Sequence, residues 1–202
     1  METVNDERIP HRTDARGVQI AEAVVPPGSD RVWPGYLFLA ILLAVLYGVS
    51  RYHFLLFHVS VELFSVIIAV VVFVIAWNAR RLMDSHFYLF IGIASLFVGV
   101  IDLLHILAYK GMGIFPGRSA DVPTQLWIAG RYLQSISLLT APLFLRRSFR
   151  TELVVALFAA VTAGLLLSIF VWEIFPACYV EGTGLTAFKI GSEYLVSLLL
   201  AG

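Results

Sequence analysis

Two short stretches carry the residues that could do chemistry. Phe57-His58-Val59-Ser60-Val61-Glu62 and Asp102-Leu103-Leu104-His105 put imidazole and carboxylate groups inside segments apolar enough to cross a bilayer. A charge held in hydrocarbon costs roughly 2.5–3.5 kcal/mol at a helix centre on insertion scales. A chain that keeps several such groups at one depth has a use for them. His58 and Glu62 stand four positions apart, Asp102 and His105 three, so each pair shares a helix face, as ligands do in helical metal sites. Imidazole with carboxylate suits zinc, iron or manganese better than copper(I), which makes these four residues candidate metal ligands. His58 and His105 could instead be the axial ligands of a haem between two helices. A proton-sensing cluster would need no cofactor, because histidine titrates near neutrality. A cavity bounded by Arg131, Tyr109, Trp127 and Tyr132 would take an anionic or aromatic small molecule. All four chemistries remain open on the residues alone.

The elements that must position these groups are membrane spans. Of 202 residues 59% are apolar and 14% charged. Soluble domains average about 45–50% and about 25%. The apolar excess falls in long runs, the pattern of a membrane protein. The net charge is zero and no basic run suggests a nucleic-acid partner. The single cysteine, Cys178, excludes an internal disulfide framework and a cysteine-rich metal site. Helices are expected at Trp33–Val49, Phe57–Trp77, Phe87–Tyr109, Gln125–Leu145, Leu153–Phe175 and Ala187–Gly202. All four tryptophans, Trp33, Trp77, Trp127 and Trp172, fall near the proposed ends, where their rings favour the interface. The expectation is an all-α fold, a polytopic transmembrane bundle of about six helices.

Residues 1–31 are a different material. Four arginines, six acids and three prolines with no apolar periodicity predict a disordered cytoplasmic tail, with the membrane domain over 32–202. Basic residues set the orientation. Nine lie in the tail and in the loops holding Arg80-Arg81 and Arg146-Arg147-Arg150; four (Arg51, Lys110, Arg118, Lys189) lie on the other side. That bias puts the amino terminus in the cytoplasm. The last segment stops at Ala201-Gly202 without a basic flank, which reads as a chain cut short of a cytoplasmic continuation.

With that orientation the ionisable groups fall in one layer of the outer third of the bilayer. At 1.5 Å per residue, Glu62 lies about 7 Å in, His105 about 6 Å, Asp102 about 10 Å, and Arg131 and Glu193 about 9 Å. His58 sits a turn above Glu62, and Asp102, His105 and Tyr109 form one stripe. Ion pairs that merely hold the bundle together, Glu62 or Asp102 with Arg131 and Glu193 with Lys189, would explain any one of these residues. The set sums to minus three (Glu62, Asp102, Glu193) and plus two (Arg131, Lys189). The excess negative charge beside two imidazoles favours a bound cation or a retained proton. Ser135 and Ser137 read as helix contacts. No phosphate loop, zinc-protease motif or nucleophile–base pair is present, so no enzyme is expected.

Several longer stretches resemble the third class of membrane-associated sensor domains, in the MASE nomenclature. They include Leu56-Phe57-His58 through Glu62-Leu63-Phe64-Ser65, Ala76-Trp77-Asn78-Ala79-Arg80-Arg81 and Val98-Gly99-Val100-Ile101-Asp102-Leu103-Leu104-His105. Ala108-Tyr109-Lys110-Gly111-Met112-Gly113, Gln125-Leu126-Trp127-Ile128-Ala129-Gly130-Arg131-Tyr132-Leu133, Glu181-Gly182-Thr183-Gly184-Leu185-Thr186 and Lys189 with Ser192-Glu193-Tyr194 extend the likeness over 32–202. The resemblance implies a multi-pass sensory input module of a bacterial inner membrane. Such a module is expected to regulate a cytoplasmic histidine kinase or diguanylate cyclase, in two-component or cyclic di-GMP signalling, through its own polypeptide or a partner. Independently of the resemblance, the bundle is expected to act as a homodimer. The resemblance supplies no ligand. His58, Glu62, Asp102, His105, Tyr109, Arg131 and Glu193 are the expected receptors of an unidentified small signal. The competing expectation is a secondary transporter or proton-conducting protein, which would need ionisable groups through the full membrane depth.

Overall fold

The computed structural model describes residues 12–13, 19–20, 33–83, 85–117 and 119–201. Among these residues six α-helices follow one another: α1 (Trp33–Tyr52), α2 (Phe54–Ala79), α3 (Phe87–Ala108), α4 (Asp121–Thr140), α5 (Thr151–Phe170) and α6 (Ala187–Ala201). Two small antiparallel strand pairs accompany them, β1 (Arg12–Thr13) with β2 (Gln19–Ile20) and β3 (Tyr179–Val180) with β4 (Gly184–Leu185). Apart from β1 and β2, the tail over 1–32 lies outside the described residues, and the expectation of disorder there lies outside them too. Contacts divide the chain into residues 1–45 and 46–202, and the bundle core lies in the second unit.

Among the described residues, four helices are long and apolar enough to cross a membrane: α1, α2, α3 and α5, with mean hydropathies of 1.8, 2.8, 2.3 and 2.6. The α4 helix carries too many polar groups for that class, and α6 has only 15 residues. Helix α3 is the centre of the bundle, burying residues along its whole length from Leu89 to Ile106 against α2, α4 and α5. Its first half packs Leu89, Phe90, Ile93 and Ala94 against Ala141 and Phe158. Its second half packs Ile101 against Val122, Leu126, Ala129 and Ile169. Helix α2 fully buries only Val66 and Ala76, half-buries a stripe that includes His58, Glu62, Ala69, Val72 and Phe73, and presents its remaining, strongly apolar face outward, as a lipid-facing helix does.

Most helix boundaries lie within three residues of the sequence expectation, and three shift by four or five. Helix α4 starts at Asp121 rather than Gln125, because Pro123 falls in the first turn, where its missing N–H is not needed. It stops being α-helical at Thr140 and continues as a 3₁₀ segment, Ala141–Leu145, since Pro142 cannot donate to the turn before it. Helix α5 ends at Phe170, five residues early, where the backbone turns and Glu173 takes φ 51°. Trp127 is therefore not at a helix end but two turns inside α4.

The connection from α5 to α6 folds back on α4 through the β3–β4 hairpin. Gly182 and Gly184 adopt φ 88° and 87°, a conformation that side-chain-bearing residues rarely take. Asp121 anchors this hairpin: its Oδ1 accepts from the backbone N–H groups of Cys178 at 2.7 Å and Tyr179 at 2.6 Å. Cys178 is thereby fully buried, and burial together with the neighbouring Asp121 carboxylate pushes its thiol up to about 11. A thiol held protonated and covered is a poor nucleophile. At pH 8, where the alkylating thiolate is scarce, Cys178 is expected to react with iodoacetamide at least about tenfold more slowly than free cysteine. Detergent-denatured protein should lose that protection. Equal rates for native and denatured protein, followed by mass spectrometry, would contradict the burial.

Candidate functional site

The polar residues converge at one end of the bundle, where α2 and α4 begin and α3 finishes. Three of them meet directly. Glu62 Oε2 lies 3.4 Å from His58 Nε2 on the same helix and 3.2 Å from His105 Nε2 on α3. These three ligand-type atoms fall within 4.8 Å of one another, are buried, and have no hydrogen-bond partner among the described residues. His105 is itself only 6% exposed. Its Nδ1 stands 2.6 Å from the carbonyl oxygen of Pro123. A carbonyl can only accept, so Nδ1 carries a proton, and Nε2 is the ring atom that faces Glu62. Tyr109 closes the group from above, its ring centroid 4.0 Å from that of His58.

Asp102 does not join that trio. It accepts from Arg131 on α4, one guanidinium nitrogen standing 2.6 Å from both carboxylate oxygens. The expected four-ligand set thus reduces to His58, Glu62 and His105. A second Arg131 nitrogen donates to Gln134 at 2.6 Å, which fixes the far side of the guanidinium. Gly130 is what lets α4 approach this closely: a Cβ there would stand 3.1 Å from the Asp102 carboxylate. Glu193 stays outside as well. It pairs with Lys189 one turn earlier at 2.7 Å and is 41% exposed, while the buried Lys189 ammonium lies 3.6 Å from the centre of the Trp127 ring.

This pairing relocates the charge imbalance of the layer. Asp102 is neutralised by Arg131 and Glu193 by Lys189, leaving the formal minus one on Glu62, between two imidazoles. A cavity of about 190 Å³ opens beside it, lined by Glu62, Ser65, Asp102, His105, Trp127 and Arg131. A second, more apolar cavity of about 300 Å³ runs between α2, α3 and α4 towards the other end. Ser65, Asp102 and Arg131 line both, so the ion pair stands between them.

A polar pocket thus lies between apolar helices. The family model for MASE3, a membrane-associated sensor domain, matches residues 49–202. The chain belongs to this family. No curated protein matches the chain, and no solved structure does. MASE3 domains are sensors, and four helices of this one are fit to span the bilayer, so it is a membrane protein with a sensory input role.

Several residues that build the pocket of this MASE3 domain carry no signal in the sequence. The Pro123 carbonyl that orients His105 is a backbone atom, and Pro123 lies in a stretch that reads as loop. Lys189 looks shallow by position yet is buried under Trp127. Asp121 lies outside any apolar run, and only its place in the first turn of α4 hints that it holds backbone N–H groups.

Proposed function

We propose that this MASE3 domain receives its signal in the pocket formed by His58, Glu62, His105, Asp102 and Arg131. The observation that carries the reading is the meeting of three buried, unpartnered ligand atoms from α2 and α3 beside a cavity closed by an ion pair to α4. Ligand or proton uptake at Glu62 ties α2 to α3, and a change at Arg131 ties or frees α4. The stimulus shifts the balance between two helix packings by its differential affinity for them. The amino terminus faces the cytoplasm, the pocket lies towards the outer face of a bacterial inner membrane, and the output is a cytoplasmic histidine kinase or diguanylate cyclase regulated in a homodimer.

A transporter or proton conductor is less well supported. Among the described residues, α2 beyond Glu62, α3 before Asp102 and α4 beyond Arg131 hold no charged side chain, which interrupts any relay across the membrane. The receptor reading is tested by joining the chain to a diguanylate cyclase and measuring cyclic di-GMP across a panel of growth conditions. Wild type is expected to change its output by about 5-fold or more between conditions. Glu62→Gln and His105→Ala should each be unresponsive at equal membrane abundance. Responses identical to wild type in both variants would reject this pocket as the receptor.

A further inference from the structure

The separations within the His58–Glu62–His105 trio have a meaning of their own. Direct charge-assisted N–H···O bonds run about 2.7–2.9 Å. The two contacts to Glu62 are 3.4 and 3.2 Å, and among the described residues none of the three atoms has a hydrogen-bond partner. A tetrahedral ion with bonds of about 2.0–2.1 Å to nitrogen and oxygen sets its ligand atoms about 3.3 Å apart. The two separations to Glu62 match the edges of such a tetrahedron, and the two imidazole nitrogens lie within 4.8 Å of each other.

We infer that His58 Nε2, His105 Nε2 and Glu62 Oε2 form a binding site for one divalent transition ion of the zinc class, linking α2 to α3. The inference names the ligand of the pocket proposed above as receptor and rests on that reading. Two imidazoles and one carboxylate are the donor set of open zinc sites, in which a fourth position is left for water or an exchangeable ligand. Glu62 and His105 also line the 190 Å³ cavity, which gives that fourth ligand room. The ion would neutralise the one carboxylate of the layer that has no cationic partner. The hydrogen bond from His105 Nδ1 to the Pro123 carbonyl is the kind of support that holds a metal-binding imidazole in the correct tautomer and orientation. A haem held by the two histidines is incompatible with the same geometry. Glu62 Oε2 stands within 3.4 Å of both Nε2 atoms, in the space the porphyrin plane would need.

The test uses the whole 202-residue chain, purified in detergent without a histidine tag and stripped with a chelator, then titrated with Co²⁺ and afterwards with Zn²⁺. One Co²⁺ per chain with the strong visible bands of a four-coordinate site, displaced by Zn²⁺, is the expected result. Glu62→Gln and His105→Ala should each weaken binding by at least about 100-fold, and His53→Ala, outside the trio, should leave it unchanged. His58 is the most exposed of the histidine ligands, so His58→Ala gives the same loss in a variant whose packing is least disturbed, with helicity checked by circular dichroism. Absence of saturable binding to the folded wild type overturns the metal assignment, as does unchanged binding in folded His58→Ala and Glu62→Gln. Either failure leaves the receptor reading to the cyclase fusion, which is measured without added metal and depends on Glu62 whichever cation it takes.

Discussion

Replacing Arg131 with alanine is expected to destabilise the bundle by about 3 kcal/mol, the low end of what removing one partner of a buried ion pair costs. The low end applies because neither side chain is fully covered: Arg131 is 23% and Asp102 18% exposed. The loss does not measure the attraction between them. It arises because Asp102 is left charged beside Ile101 and Gly130, in a cavity it shares with the Glu62 carboxylate. Gln134 loses its donor at the same time. The double variant Asp102→Asn/Arg131→Gln, which keeps the shapes and removes both charges, should recover most of the deficit. Unfolding in mixed micelles at increasing detergent denaturant, followed by helicity, measures both. A double variant as unstable as Arg131→Ala would show that the side chains matter here for packing and not for charge.

The same ion pair shows what was legible in the chain and what was not. Spacing alone put His58 with Glu62 on one face, because helical periodicity is a property of the sequence. It also put Asp102 with His105, and there it misled: the two share a face of α3, yet one turns to α4 and the other to α2. Partner choice between helices depends on their rotation and separation, which no single helix encodes. The rotation of α3 is set by Ile101 and Leu126 in the core and by Gly130, which admits the Asp102 carboxylate. The hairpin at Tyr179–Leu185 escaped for a different reason. Its strands are two residues each, too short for any alternation to register, and it is held from outside by Asp121. What survived was the family and the six helices.

Gly92→Leu should cost about 3 kcal/mol, the upper part of the range for overpacking a well-filled core, and should open the α2–α3 seam from the end opposite the pocket. A Cβ at Gly92 would stand 2.5 Å from the Cβ of Ala76 and 3.5 Å from the Phe73 Cα and the Val72 carbonyl oxygen. The nearest obstacle is a methyl rooted directly on a backbone, and the others are backbone atoms, so no rotamer change relieves the clash. Seven residues further along α3, a Cβ at Gly99 would meet the Ala69 Cβ at 3.1 Å, and Ala69 precedes Ala76 by the same seven. The two contacts make a small-residue seam that brings the helix backbones together without help from lipid-excluded apolar burial. His105 lies six residues beyond Gly99 and Glu62 seven before Ala69, so the separation of His105 Nε2 from Glu62 depends on that seam. A leucine at 92 pries the helices apart where the seam is tightest, and the pocket residues follow only as far as the helices are rigid. Loss of stability with an intact response in the cyclase fusion would mean the seam is a scaffold alone. A response lost in Gly92→Leu and restored by Ala76→Gly, which vacates the clashing methyl, would show that signal reception reads the α2–α3 distance.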